Sequence, residues 1–153
     1  MARRSELIAL ALAGALVAAS APALAQLQRD AASVLGAWRF DTTRYDGADG
    51  HSCKMSGTMT IVRGARANAF ACAFVAVEDC IWGKWSAEQR CSATRNGDKL
   101  EITSTIMRLT PTNISYAPDN WSLTIRSSAL MVGELRSADV ATVQFTRGPA
   151  YTS

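Results

Sequence analysis

The sequence offers few residues that could carry out nucleophilic catalysis. His51 is the only histidine of the 153-residue chain, and both the Ser-His-Asp and the Cys-His arrangements need a histidine as base. It follows Asp46-Gly47-Ala48-Asp49-Gly50, a composition typical of a solvated loop. That loop also lacks the ligand series and the closing glutamate of a calcium-binding loop. We therefore expect no catalytic residue and no metal site here.

Paired carboxylates would offer a second chemistry, the hydrolysis of glycosidic bonds. The candidate pair is Glu78 and Asp79, which are neighbours at the end of a predicted strand. Neighbouring side chains of a strand point to opposite faces, and this separates the two carboxylates. The sequence therefore predicts a protein that is not an enzyme and that uses no cofactor.

The first 25 residues have the pattern of a cleaved secretory signal. Arg3 and Arg4 precede an apolar run over residues 7–19, and Ala23-Leu24-Ala25 provides a small-x-small end. The run is shorter than the ~20 residues that span a bilayer, so we expect no membrane insertion after cleavage. The rest of the chain has 14 basic and 12 acidic side chains, a balance that argues against nucleic acid as a partner. We predict a periplasmic or extracellular protein.

The cysteines predict two disulfides. The chain contains four, which are Cys53, Cys72, Cys80 and Cys91. An even number in an exported protein favours disulfides over zinc, since the chain has no C-x-x-C pair and a single histidine. A predicted turn at 63–68 places Cys53 opposite Cys80. A second turn at 79–84 places Cys72 opposite Cys91, and these are the two predicted bridges.

Apolar and polar residues alternate with period two through most of the chain, which is typical of strands with one buried face. Seven such runs cover residues 38–40, 53–61, 85–93, 100–106, 121–125, 131–135 and 141–145, and an eighth strand is predicted over 70–77, a run that is apolar on both faces. Asn96-Gly97 lies between two of them and is a strong hairpin signal. Eight short strands in sequence predict an all-β fold, namely an eight-stranded antiparallel up-and-down barrel, with a β-sandwich as the alternative.

Both ends of this strand series resemble the calycin superfamily, which includes lipocalins, avidins and small bacterial inhibitors of metalloproteases. Residues 30–36 predict a capped helical turn, and Gly36-Ala37-Trp38 then opens the first strand with a G-x-W motif. Phe145-Thr146-Arg147 resembles the closing strand of these barrels. The resemblance implies that Gly36, Trp38 and Arg147 close the barrel base, with the arginine over the tryptophan ring.

One branch of the superfamily, the metalloprotease inhibitors, shares further positions. Leu27-Gln28-Arg29 matches their N-terminal arm, and Cys53, Cys80 and Trp85 match their cysteines and following tryptophan. In that family the arm enters the protease cleft. The resemblance therefore implies a secreted protease as one possible partner, bound at the barrel rim.

These observations predict three segments: a signal peptide at 1–25, an arm with a helical turn at 26–36, and a barrel domain at 37–153. An eight-stranded barrel is either filled by side chains or able to hold one small ligand. The predicted ligand-binding residues are Met59, Phe74, Trp85 and Trp121. We expect an exported, non-catalytic protein that binds a small apolar molecule. The alternatives are a metalloprotease inhibitor or another interaction module acting through the arm and rim, and a structural role.

Overall fold

A computed structural model describes residues 34–47, 50 and 52–148. The predicted signal peptide at 1–25, the arm at 26–33 and His51 lie outside the described residues, and so does most of the predicted helical turn at 30–36. Among the described residues, no helix has the length and apolarity needed to cross a membrane.

The described chain forms nine strands. They are β1 (Gly36–Thr42), β2 (Tyr45–Asp46), β3 (Ser52–Arg63), β4 (Ala69–Cys80), β5 (Gly83–Asn96), β6 (Lys99–Thr110), β7 (Asn120–Ser127), β8 (Leu130–Arg136) and β9 (Val140–Arg147). Each of the eight predicted runs lies within one of these strands, because the alternation of apolar and polar residues sets which face is buried. The one strand without a predicted counterpart is β2, which has only two residues and pairs with the start of β3.

The sheet closes into a barrel. Consecutive strands pair antiparallel from β3 to β9, and β1 pairs with both β9 and β3. The eight long strands therefore form a closed up-and-down barrel, and the predicted fold is confirmed rather than the sandwich alternative. Closure leaves none of these eight strands as a free edge.

Both predicted disulfides are formed. Cys53 on β3 is bonded to Cys80 on β4, with a Cα–Cα distance of 4.1 Å. Cys72 on β4 is bonded to Cys91 on β5, with a Cα–Cα distance of 4.8 Å. In each case the two residues are directly opposite in the strand register, as hairpin geometry requires.

One end of the barrel, which we call the closed end, is sealed by Trp38. Its side chain is 1% exposed and its Nε1–H donates to the Val34 carbonyl at 2.9 Å. The Arg147 guanidinium lies over the ring, with Cζ 4.1 Å from the ring centroid. Gly36 has φ of 111°, and a Cβ there would lie 3.1 Å from Arg147 Nη1, so this position favours glycine. The contacts implied by the calycin resemblance are thus present.

The middle of the barrel is filled by aromatic rings. Phe40 lies 5.1 Å from both Trp121 and Phe145 between ring centroids, and 6.0 Å from Phe74. The Phe40 ring also occupies the space beside Gly57, where an added Cβ would lie 2.5 Å from its Cζ atom. Edge-to-face and tilted contacts of this kind pack the aromatic side chains against one another in the barrel interior.

Candidate functional site

The opposite end of the barrel, which we call the pocket end, holds an open cavity of about 360 Å³. Its walls come from strands on several sides of the barrel and from the loops before β7 and β9. The side chains that give it its character are aromatic, acidic and apolar: Tyr45, Trp82, Trp85, Tyr116, Glu78, Asp119, Asp139, Met55 and Leu135.

Glu78 is the first of two buried carboxyl groups in this pocket. It is near the end of β4, points inward and is only 9% exposed. The Tyr45 hydroxyl donates a hydrogen bond to Oε1, and the Trp85 indole N–H donates to Oε2. Donors on two different strands therefore hold the carboxylate in one orientation.

Asp119 is the second carboxyl group and lies just before β7, with 1% exposure. Its Oδ2 accepts hydrogen bonds from the Tyr116 hydroxyl at 3.0 Å and from the Gln89 amide nitrogen. Gln89 Oε1 in turn accepts from the Asp119 backbone N–H at 3.0 Å and from the Ser104 hydroxyl at 2.8 Å. This network fastens the loop before β7 to the inner faces of β5 and β6.

Burial raises the pKa of Asp119, the hydrogen bonds from Tyr116 and Gln89 oppose this shift, and the Glu78 charge adds to it, so that the pKa lies at about 7. Burial also raises the pKa of Tyr45 and of Tyr116 well above the ordinary range, and the neighbouring carboxylates add to both shifts. Both hydroxyls therefore stay protonated and keep donating to the carboxylates. The charge of Asp119 therefore changes near neutral pH.

The disulfide Cys53–Cys80 forms part of the pocket wall. Its sulfur atoms and a Glu78 carboxylate oxygen lie within 4.8 Å of one another. Metal binding by cysteine requires a thiolate, and these sulfurs are bonded to each other. This group of side chains therefore forms a wall of the pocket rather than a set of metal ligands.

The four predicted ligand-binding residues fall into two environments. Trp85 lines the pocket, half-buried, whereas Met59, Phe74 and Trp121 lie in the filled middle of the barrel and do not line it. Trp121 Nε1 is buried and finds no hydrogen-bond partner among the described residues. The predicted contact of these residues with a ligand stays a prediction, and for three of them a ligand would first have to displace packed side chains.

Sequence reasoning did not identify most of the polar residues of the pocket. Asp119 lies in a Pro118-Asp119-Asn120 segment that predicts only a turn, and Glu78 stands out in the sequence only as the neighbour of Asp79. One signal was present, because Gln89 interrupts an inward-facing series of apolar residues on β5. A polar side chain at an inward position needs a buried partner, and Asp119 is that partner.

Comparisons with known proteins support the fold. A de novo designed fluorescence-activating β-barrel aligns with a TM-score of 0.53 at 17% identity, covering 77% of this chain and 96% of the design. A redesigned β-barrel, mFAP1 bound to DFHBI, aligns with a TM-score of 0.53 at 16% identity, covering 78% and 99%. The chain EF1p2_mFAP2b bound to DFHBI gives a TM-score of 0.56 at 15% identity, covering 80% and 99%.

No protein-family model matches the chain, and no curated protein matches it. At this level of identity the structural matches show the fold alone. The chain is thus an eight-stranded antiparallel β-barrel, and the calycin superfamily stays a resemblance carried by its two ends.

Proposed function

We propose that this chain is an exported, non-catalytic binding protein that holds one small molecule in the pocket end of its barrel. A single observation carries the proposal: one end of the barrel is filled and sealed by Trp38, whereas the other holds an open cavity of about 360 Å³. Ligand pockets range over roughly 300–1,000 Å³, so this cavity suits a molecule of about one or two rings.

The walls of the cavity support binding of a molecule with an apolar body. Met55 and Leu135 offer aliphatic surface, and Trp85 offers a large aromatic ring. The structural neighbours that bind DFHBI are barrels of the same architecture, which supports small-molecule binding as a role that this fold can take.

Export is supported by the signal pattern of residues 1–25 and by the two disulfides, which persist in oxidising compartments. The alternative role as a protease inhibitor depends on an arm that lies outside the described residues, so it stays a prediction.

A dye titration tests the proposal. N-phenyl-1-naphthylamine is neutral, apolar and fluorescent when it leaves water, and we expect saturable binding to the disulfide-bonded protein with one dye per chain. Ala138→Trp places a bulky ring at an exposed position of the pocket mouth and should weaken binding at least about tenfold. The matched control is Ala67→Trp, an exposed position in the turn at the closed end.

The proposal is contradicted by either of two results. The first is no saturable binding by the unsubstituted protein. The second is equal dye affinity in the two tryptophan variants, because binding would then lie outside the pocket.

A further inference from the structure

The pocket carries negative charge that no basic side chain offsets. Glu78, Asp119 and Asp139 line it, and none of the described lining residues is a lysine, arginine or histidine. Within the described part of the chain, the ion pairs all join other carboxylates on the outer surface, such as Asp79 with Lys84. A buried carboxylate without a counter-charge is costly, so a cation entering this pocket would be strongly favoured.

One carboxylate oxygen of Asp119, Oδ1, is not hydrogen-bonded to the described residues. Both of its side-chain hydrogen bonds go to Oδ2, and Oδ1 accepts none from the described residues although the residue is 1% exposed. Glu78 also keeps capacity, because each of its oxygens accepts one hydrogen bond and a carboxylate has about four acceptor positions. The pocket therefore offers acceptors to a ligand that brings donors.

Three aromatic residues of the pocket use their polar hydrogens within the pocket itself. The hydroxyls of Tyr45 and Tyr116 and the indole N–H of Trp85 all donate to the two buried carboxyl groups. These donors are therefore already engaged and leave little to bind an anion. Aromatic faces attract organic cations, and a wall of three such rings beside carboxylates is suited to that class of ligand.

We infer that the pocket ligand is a small organic cation, with an ammonium group held by Glu78 and Asp119 and an apolar body against Trp85, Met55 and Leu135. This inference rests on the proposed function of the pocket. It favours an ammonium over a calcium ion, because calcium takes about six to eight oxygen ligands and this pocket is walled largely by rings and apolar side chains.

The test compares two probes of the same shape, phenethylammonium and the neutral phenethyl alcohol, by competition with the dye at about pH 8. We expect the cation to bind at least about tenfold more tightly, since hydrogen bonds to charged groups exceed neutral ones by roughly that factor. Glu78→Gln should lower the ratio of the two affinities toward one, because the amide carries no charge to pair with the ammonium group, and this ratio is the readout rather than either affinity alone.

Asp79→Asn is the matched control. Asp79 is the next residue of β4, points outward and carries the same charge, so its loss changes the net charge equally without touching the pocket. We expect it to keep the preference for the cation. An equal loss in Glu78→Gln and Asp79→Asn would show that the net charge of the protein, and not the pocket, attracts the probe.

The pH dependence provides a second readout with unsubstituted protein. The neighbours of Asp119 come from four elements. Tyr116 lies in the same loop, Gln89 lies on β5, Ser104 lies on β6 and Glu78 lies on β4. Among the described residues, the groups near Asp119 that titrate or carry charge are acidic or phenolic, and they include Tyr45 and Asp139.

Burial holds the pKa of Asp119 near 7, so this carboxyl gains its charge as the pH rises through that value. The affinity for the permanently charged phenethyltrimethylammonium should therefore rise between about pH 5.5 and about pH 8.5. Asp119→Asn should reduce this rise, and a thermal melt of the variant checks that it is folded.

The outcomes separate the two proposals. Equal binding of phenethylammonium and phenethyl alcohol, with the dye still bound in the pocket, overturns the cation inference and leaves the binding function in place. Absence of binding by dye and by both probes overturns the proposed function itself.

Discussion

The two ends of the barrel are built from the same strands but differ in what they bury. At the closed end Trp38 is buried, its N–H is hydrogen-bonded, and Arg147 covers its ring while donating to the Ser128 carbonyl at 2.8 Å. At the pocket end Glu78 and Asp119 are also buried, yet they bring negative charge with no basic partner among the described lining residues. The contrast indicates that the closed end supplies stability, whereas the pocket end gives up stability to present a polar site.

Matched tryptophan substitutions at the two ends should have the largest effect. We expect Trp38→Ala to lower the free energy of unfolding by about 3–5 kcal/mol, because it leaves a cavity in packed surroundings. Trp85→Ala should cost only about 1–2 kcal/mol, since its side chain is half-buried and its loss opens the pocket further. Denaturant titration measures both values. Equal losses at the two positions would remove the distinction between the ends.

The next effect is a dependence of stability on pH that comes from the pocket end. The pKa of Asp119 is raised from 3.8 to about 7 by burial, so the folded state binds this proton more tightly than the unfolded state does. The resulting stabilisation is full below about pH 4 and is lost as the pH rises through about 7, with a total of up to about 4 kcal/mol.

Asp119→Asn isolates this contribution, because the amide does not titrate while all other groups remain. The difference in unfolding free energy between the unsubstituted protein and the variant should therefore change steadily from about pH 4 to about pH 7.5 in urea titrations. A difference that is constant over this interval would mean that the folded environment does not raise the pKa of Asp119.

The two disulfides should give similar losses of stability but different losses of binding. Removal of either bridge by a double Cys→Ala substitution should cost about 2–4 kcal/mol, since the bridges link residues 27 and 19 positions apart. Only Cys53–Cys80 lines the pocket, so only its removal should weaken dye binding at a temperature where both variants are folded. Weakened binding after removal of Cys72–Cys91 would show that the two ends are coupled.

The sequence was sufficient to predict the barrel but not the pocket. The eight strands and both disulfides follow from period-two alternation and from hairpin symmetry, which are local properties of the chain. The Arg147 contact with Trp38 joins the first and last strands, and it was implied only by resemblance.

The polar site depends instead on loops meeting across the barrel mouth. Asp119 accepts from Tyr116 in its own loop and from Gln89, which lies 30 positions earlier in the chain, and the segment that carries Asp119 has a sequence that indicates only a turn. No periodic pattern specifies where such a loop lies, so its partner could not be predicted from local signals. The inward position of Gln89 on β5 was the one feature of the sequence that indicated a buried polar partner.

The central claim is that ligand occupies the pocket end and leaves the middle of the barrel filled. Methionine methyl NMR tests it directly, because Met55 lines the pocket whereas Met59 and Met131 are buried in the filled interior. On titration with phenethylammonium, the account predicts ring-current shifts of the Met55 methyl and unchanged Met59 and Met131 signals. Shifts centred on Met59 and Met131 would contradict it, since the ligand would then enter the barrel core.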